Sequence, residues 1–221
     1  MSQITMKEKT WWKRIFFSPT VLSKNQSRKM AYIAMLTAFS VVANIYDIPL
    51  SSDNKLSLTI VVSLLTGLIL GAVFGFGACV LGDFIGFLMR PGQIYMPWVG
   101  LSTGAFAFFA GILFYAVSSR KKWVFWLKLF VICLVTFLVC TVCINSVGFY
   151  FYNKQMGFST AVLDYVAQKF GGNVSFWSYI VYRLIFKGQI FYSLLNYTLF
   201  FLAVPALRKV KALSLSYTQS V

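Results

Sequence analysis

The sequence predicts an all-α membrane protein with six transmembrane helices and both termini in the cytoplasm. The 221-residue chain is 59% hydrophobic and 19% aromatic, and it holds only five acidic residues and no histidine. Apolar segments follow one another over most of its length, and its charged residues lie mostly at the two ends and in one central loop. Because a water-soluble chain of this size needs far more surface charge, this pattern indicates a protein that crosses a bilayer several times.

The N-terminal segment, residues 1–29, is basic and aromatic. It carries seven lysine and arginine residues and an aromatic cluster between Trp11 and Phe17. Tryptophan combined with basic residues is typical of a chain that lies at a membrane interface. We therefore predict an interfacial segment over 1–29, a transmembrane domain over 30–206 and a cytoplasmic tail over 207–221.

The division into spans depends most on the apolar stretch 57–89. As one helix it would be about 50 Å long, well beyond a hydrocarbon core of ~30 Å. Its many glycines favour two short helices that meet in the region between Gly71 and Gly77. The six predicted spans are 30–48, 57–71, 74–89, 97–117, 124–150 and 177–206.

The distribution of positive charge gives the orientation. With six spans, the N-terminus, the 120–128 loop and the C-terminal tail share one side and together hold fourteen basic residues, against four on the other side. The positive-inside rule then places both termini in the cytoplasm of a bacterial inner membrane. Although the net charge of +15 also suits nucleic acid, these cations flank apolar spans. We therefore predict anionic lipid as their partner and exclude nucleic acid.

Motifs for catalysis are missing from the sequence. Without histidine the chain can form neither a Ser–His nucleophile pair nor a histidine metal site, and it contains no P-loop for nucleotide hydrolysis. All four cysteines lie in apolar segments, where they are expected to be small buried side chains. We predict a protein that is not an enzyme and has no cofactor or bound metal.

Polar and aromatic residues concentrate on the predicted outer side. Arg183 and Lys187 are four residues apart and would share a helix face, where they could neutralise an anionic ligand or reach outward to lipid headgroups. The aromatic side chains could stack on a flat ring, and the amides could bridge helices or bind the ligand. The candidate ligand-binding residues are Arg90, Gln93, Tyr95, Trp98, Asn145, Trp177, Arg183, Lys187 and Gln189.

Asp83 is the only acidic residue well inside an apolar stretch. A carboxylate within a membrane is costly and indicates a function by default: it could relay protons, coordinate a cation or hydrogen-bond to a neighbouring helix. One alternative function is therefore a small proton-coupled carrier that uses Asp83. A ligand-free membrane assembly subunit is a second alternative.

A family resemblance rests on the order of several short motifs. Ala34 and Ala38 lie on one face of the first span and allow another helix to approach closely. The further motifs are LGDFIG over 81–86, RPG over 90–92, YMPWVGLST over 95–103 and GILF over 111–114. Over residues 30–206 the chain resembles the substrate-binding S-component of an energy-coupling factor (ECF) vitamin transporter, and it is most similar to the folate type.

The resemblance implies a membrane protein that captures a vitamin from outside the cell. Its partners would be a transmembrane coupling subunit of the EcfT type, contacted through Ala34 and Ala38, and two ATPase subunits that power transport. Trp98 stands where folate-type members usually carry glycine, so the resemblance does not identify the vitamin. The outer cations favour a folate-like or pantothenate-like anion; riboflavin, pyridoxine or a corrinoid fragment are the alternatives.

Overall fold

The computed structural model describes residues 13, 15–49, 55–90, 94–117 and 121–208, which form helices joined by turns and loops, together with one short hairpin. The helices are α1 (Pro19–Leu22), α2 (Gln26–Ile45), α3 (Thr59–Leu70), α4 (Ala72–Leu88), α5 (Pro97–Ala116), α6 (Lys122–Thr136), α7 (Ser146–Met156), α8 (Thr160–Phe170), α9 (Phe176–Val181) and α10 (Gln189–Arg208). Strands β1 (Asp47–Pro49) and β2 (Lys55–Ser57) pair antiparallel between α2 and α3. The predicted all-helical class is confirmed, with this hairpin as an addition.

Several of the helices are suited to a membrane by length and composition. Within the described part of the chain, three helices are long and apolar enough to cross it: Pro97–Ala116, Lys122–Met156 and Gln189–Leu207. Three shorter apolar helices, Thr59–Leu70, Ala72–Leu88 and Phe176–Phe186, accompany them. This composition is that of a membrane-embedded protein.

The predicted break between the second and third spans is confirmed at Gly71. Its φ of +85° lies in a region that favours glycine, and it separates α3 from α4. Ser18 packs against this break: its Oγ donates to the carbonyl of Ile69 at 2.5 Å, and its N–H donates to the carbonyl of Leu70 at 3.5 Å. The chain before α2 therefore satisfies carbonyl groups that the end of α3 leaves open.

Part of the predicted interfacial segment is buried against the protein. Ile15, Ser18 and Val21 are buried against the protein, and α2 begins at Gln26, before the predicted start of the first span. Residues 1–12 of the segment, and 209–221 of the predicted tail, lie outside the described residues. The described part of the segment thus packs on helix ends and is not only a surface element.

The centre of the molecule is a close approach of α3 to α5. Leu64 and Leu68 of α3 pack with Phe106 and Ala110 of α5 in the main apolar core. A side-chain carbon added at Gly67 would collide with the backbone carbonyl of Ala107. Glycine is therefore required at this contact, because any side chain would push the two helices apart.

We expect Gly67→Ala to lower stability by roughly 1–3 kcal/mol, the usual cost of overpacking a tight core. Gly77→Ala is the matched control, because a side-chain carbon at Gly77 would meet no atom within 4 Å. Thermal melting of the purified protein in detergent measures both. Equal melting temperatures for the two variants would show that the α3–α5 contact does not limit stability.

The last two predicted spans differ from the structure in length and continuity. The fifth is one 35-residue helix, Lys122–Met156, and is therefore about 52 Å long, well beyond the predicted 124–150. The last is interrupted at Gly188, with φ +66°, so that Phe176–Phe186 and α10 are separate helices. The predicted single span over 177–206 was wrong in this respect, because glycine with positive φ ends a helix.

The long helix and the interrupted one run side by side in opposite directions. Trp126 stacks on Phe201 with 6.1 Å between ring centroids, and farther along the pair the Thr136 and Tyr197 hydroxyls lie 3.3 Å apart. At the far end, the Asn153 amide donates to the Tyr179 hydroxyl at 2.8 Å. This antiparallel pair brings the segment after Asn145 next to the segment around Arg183.

Candidate ligand-binding site

Two irregular helical segments meet at Arg183. The segment Phe137–Asn145 between α6 and α7, and the segment Tyr182–Phe186 after α9, both have the wider π-type hydrogen bonding. Arg183 Nη1 donates to the backbone carbonyl of Asn145 at 2.8 Å. Interruptions of this type in helices occur often at functional sites.

Arg183 is a buried cation without a described carboxylate partner. It is 9% exposed, and its guanidinium carbon lies 4.2 Å from the centre of the Phe149 ring. Among the acidic side chains that the structure describes, Asp83 hydrogen-bonds with Asn44 and Asp164 is exposed. Because burying an unpaired charge is costly, Arg183 is a candidate contact for a bound anion.

Trp98 completes this group from the first turn of α5, which Pro97 begins. Its indole lies 5.8 Å from the Phe149 ring between centroids, and it rests against Gly148, where a side chain would collide with it. Trp98 Nε1 and Asn145 Oδ1 are both buried without a hydrogen-bond partner. We call Trp98, Asn145, Phe149 and Arg183 the Arg183 cluster.

Buried polar atoms without a hydrogen-bond partner are uncommon in folded proteins, because leaving such an atom unpaired is costly. Eight described side-chain atoms are of this kind, and the Arg183 cluster contains two of them: Trp98 Nε1 is a donor and Asn145 Oδ1 an acceptor. An anion that reached both atoms and the guanidinium would satisfy the two hydrogen-bonding groups and balance the positive charge. The cluster is therefore a candidate ligand site.

A cavity of about 440 Å³ adjoins the Arg183 cluster. The residue that joins them is Tyr152, which lines the cavity and lies 5.7 Å from Trp98 between ring centroids. The other lining residues are Asn44, Asp83, Gly86, Phe87, Arg90, Ile94, Tyr95, Met96 and Val99. We call this cavity the Asp83 pocket.

Hydrogen bonds fix the polar groups of the Asp83 pocket. Asn44 Nδ2 donates to Asp83 Oδ1 at 3.0 Å, so the carboxylate bridges α2 and α4. Arg90 donates to the carbonyl of Asn44 and, at 2.5 Å, to that of Ile45. A cation on the last carbonyls of α2 stabilises that helix end, which gives Arg90 a structural role besides any contact with ligand.

Tyr95 lines the Asp83 pocket from the loop before α5. Burial, and then the Asp83 carboxylate, raise the pKa of Tyr95 above its ordinary value. The phenol therefore stays neutral at physiological pH and can donate a hydrogen bond. Its ring packs against Phe87 at 4.9 Å and Phe84 at 5.5 Å between centroids, which fixes its position.

The structure brings together five of the nine candidate residues from the sequence. Trp98, Asn145 and Arg183 form the Arg183 cluster, and Arg90 and Tyr95 line the adjoining pocket. Three others are not in either group: Trp177 is 73% exposed, Lys187 is exposed and Gln189 begins α10. Gln93 lies outside the described residues.

The position of Lys187 has a definite cause. Its N–H bonds to the carbonyl of Tyr182, five residues back, and the helix ends at Phe186. Regular four-residue spacing, which would place Lys187 above Arg183, does not apply across such a widened turn. Lys187 consequently lies past the helix end instead of sharing the face of Arg183.

The sequence did not single out Phe149, Tyr152 or Asn44. Phe149 holds both the Arg183 guanidinium and the Trp98 ring, but one phenylalanine among 23 carries no distinct signal. Its position four residues after Asn145 was the available clue, since residues at this spacing share a helix face. Asn44 falls at the end of the first span, where an amide is unremarkable.

A second, apolar groove of about 380 Å³ lies between Lys122–Met156 and α10. Phe130, Leu134, Leu194 and Phe201 are among the side chains that line it. It offers few hydrogen-bonding groups, so it suits a water-soluble ligand less well than the Asp83 pocket and the Arg183 cluster. Across the described residues, no group of three or more cysteine or acidic side chains could hold a metal ion.

The predicted docking pair lies on the outside of the molecule. Ala34 and Ala38 are exposed on α2, and the opposite face of that helix buries Leu36, Ser40 and Ala43. Exposed apolar side chains continue this surface, among them Phe39 and Val42. A helix of another protein could therefore approach α2 closely at the two alanines.

Comparison with known proteins places most of this chain in one family. A family model, described as the substrate-specific component of ECF transporters, matches residues 28–208. This range includes the Asp83 pocket, the Arg183 cluster and the exposed alanines of α2. Among curated proteins, none is significantly similar to this chain in sequence. Because the family match covers most of the chain, this protein belongs to the substrate-specific components of ECF transporters, the substrate-binding subunits of these importers.

Proposed function

We propose that this protein is the high-affinity capture subunit of an ECF-type importer for a water-soluble vitamin or vitamin precursor. The observation that carries the proposal is the buried Arg183 beside two unsatisfied polar atoms, at Trp98 and Asn145. An anion bound there would balance the guanidinium charge, as a folate-like or pantothenate-like molecule does. Riboflavin, pyridoxine and corrinoid fragments lack this match.

Transport would require the partners that the family implies. The chain contains no nucleotide-binding loop, so two ATPase subunits and an EcfT-type coupling subunit would supply the energy and the docking surface. We propose that the exposed Ala34 and Ala38 contact the coupling subunit. Co-purification of the tagged chain with these three subunits tests this assembly.

The assembly experiment separates the proposal from its alternatives. A proton-coupled carrier would act alone, and its uptake would collapse with the proton gradient rather than with ATP. Asp83 is hydrogen-bonded to Asn44, as a structural bridge between helices requires, and this supports the capture function over the carrier. A ligand-free assembly subunit would co-purify with partners but bind no small molecule.

We further propose six spans in a bacterial inner membrane, with both termini in the cytoplasm. Because the positive-inside rule places Lys122 inside and Lys154 outside, a cysteine at Lys122 should react with impermeant reagents only from the cytoplasmic face. A cysteine at Lys154 should react only from outside. Both residues are exposed, so access is not limited by packing. Labelling of both from one face would contradict the six-span topology.

A further inference from the structure

The Asp83 pocket carries an inference of its own about the ligand, and this inference rests on the proposed function. Asp83 is 5% exposed and lines the pocket. Asn44 is the described residue that hydrogen-bonds to this carboxylate, and it does so at Oδ1. No described residue donates to Asp83 Oδ2, and this oxygen is not enclosed by protein. Asn44 therefore holds the carboxylate in place while Oδ2 can accept a hydrogen bond from a molecule in the pocket.

A second polar atom lies beside Asp83 Oδ2, over Gly100 of α5. A side-chain carbon added at Gly100 would lie 2.8 Å from Asp83 Oδ2 and 2.9 Å from Tyr95 Oη, so the two oxygens are close to each other. Both residues line the pocket. The neutral Tyr95 hydroxyl can donate, whereas the carboxylate oxygen only accepts. One edge of a ligand could therefore give a hydrogen bond to Asp83 and receive one from Tyr95.

The rest of the lining suits a flat and uncharged group. Among the described lining residues Asp83 and Arg90 are the charged ones, and their formal charges cancel. Phe87, Tyr95 and Tyr152 place aromatic rings around the pocket, and such rings can pack against a planar ligand. The volume of about 440 Å³ lies within the usual range for small-molecule sites.

We infer that the Asp83 pocket binds a flat, uncharged nitrogen heterocycle, whose ring-edge N–H donates to Asp83 Oδ2 and whose adjacent acceptor receives the Tyr95 hydroxyl. A lactam edge, with N–H beside C=O, has this pattern, and so does an aminopyrimidine edge, with N–H beside a ring nitrogen. An aliphatic chain offers neither this edge nor a planar face. Of the two anions that the proposed function favours, the inference therefore selects the folate-like one over the pantothenate-like one.

Calorimetric titration of the purified full-length chain with matched probes tests this inference. Riboflavin and lumazine carry a ring N–H, which 3-methylriboflavin and 1,3-dimethyllumazine replace with N-methyl groups. Folate and 4-aminobenzoylglutamate share their carboxylates, but only folate has the heterocycle, and pantothenate is an aliphatic anion. We expect an N–H heterocycle to bind most tightly and its counterpart to bind at least ~10-fold more weakly, as expected for the loss of a charged hydrogen bond.

Two variants identify the groups responsible. Asp83→Asn can keep the bond from Asn44 through its amide oxygen, but it then turns an NH₂ group towards the ligand. The preference for the N–H heterocycle over its counterpart should therefore fall by about the same factor. Tyr95→Phe keeps the ring that packs on Phe87 and removes the hydroxyl, so the heterocycle should bind more weakly while Asp83 maintains the preference. Asp164→Asn, at an exposed acidic residue, is the matched control and should change neither quantity.

The inference is overturned if any methylated ring, 4-aminobenzoylglutamate or pantothenate binds as tightly as the best N–H heterocycle. A preference that survives Asp83→Asn, or a chain that binds no heterocycle, contradicts it equally. Tight binding of 4-aminobenzoylglutamate or pantothenate would leave the capture function standing and only the ring wrong. If no probe binds and the chain also fails to co-purify with the coupling subunit and the ATPases, the capture function fails as well.

Discussion

Replacing Arg183 with alanine is expected to weaken ligand binding roughly 10–150-fold. The loss of one charged hydrogen bond typically costs ~1.5–3 kcal/mol, which corresponds to this range of affinity. Arg183 is the buried cation of the cluster, and its guanidinium donates to the backbone carbonyl of Asn145 and lies over the Phe149 ring. Removing a buried charge that has no described carboxylate leaves no other ion unpaired, so the variant should still be produced and inserted.

Lys187→Ala is the informative comparison. Spacing in the sequence predicts a loss similar to that of Arg183→Ala, whereas the exposed position of Lys187 past the helix end predicts only a small loss. Titration of the retained ligand onto both purified variants measures the difference. Wild-type affinity in the Arg183 variant would refute the anionic site, and a neutral vitamin held by Asn145 and the aromatic rings would then explain the structure better.

Tryptophan at Ala34 or Ala38 is expected to abolish uptake and leave ligand binding by the isolated protein unchanged. Both alanines are exposed on α2, where a large ring would prevent another helix from approaching closely. Neither residue belongs to the Arg183 cluster or lines the Asp83 pocket. Uptake by cells that contain the complete transporter, together with titration of the purified variants, measures the two effects.

Leu127→Trp serves as the control for a bulky ring at a lipid-exposed position. Leu127 is exposed on α6 and is distant in sequence from the docking face, so uptake should persist in this variant. If the Ala34 and Ala38 variants lose binding as well as uptake, the two alanines support the fold instead. Uptake that survives both substitutions would remove α2 from the docking interface.

The parts of the fold that the sequence predicts best are those fixed by single backbone constraints. Gly71 ends α3 because its positive φ favours glycine, and Pro97 begins α5 where its missing N–H has no cost. Ala34 and Ala38 share an exposed face of α2, as their four-residue spacing on one helix face allows. In each case a local chemical feature determines a local structural one.

Features that depend on two distant segments were not predicted. Gly188 interrupts the last span. Lys187 and Gly188 resemble an ordinary helix end, but they lie inside a long apolar stretch, which predicted one continuous helix. The π-type segments arise where the long helix packs beside α9 and the segment Tyr182–Phe186. No residue pattern in the sequence predicts them. These segments set the contact between Asn145 and Arg183, so their geometry decides which candidate residues meet.

For the candidate binding site, the chemical type of a residue was a better guide to its place in the structure than its spacing in the sequence. A cation, an amide and a tryptophan inside apolar segments were recognisable because each is costly there without a partner. Phe149 and Tyr152 were not, since aromatic residues are common throughout this chain. Sequence reasoning therefore singled out the polar candidate residues and missed the aromatic residues that pack against them.

Mass spectrometry of the small molecules released from the purified protein tests the capture function most directly. The wild-type protein is expected to release one anionic vitamin or precursor in an amount close to that of the protein, and Arg183→Ala to release little or none. Equal release from both proteins, or no small molecule from a wild-type protein that still assembles with its coupling partners, would contradict ligand capture at the Arg183 cluster.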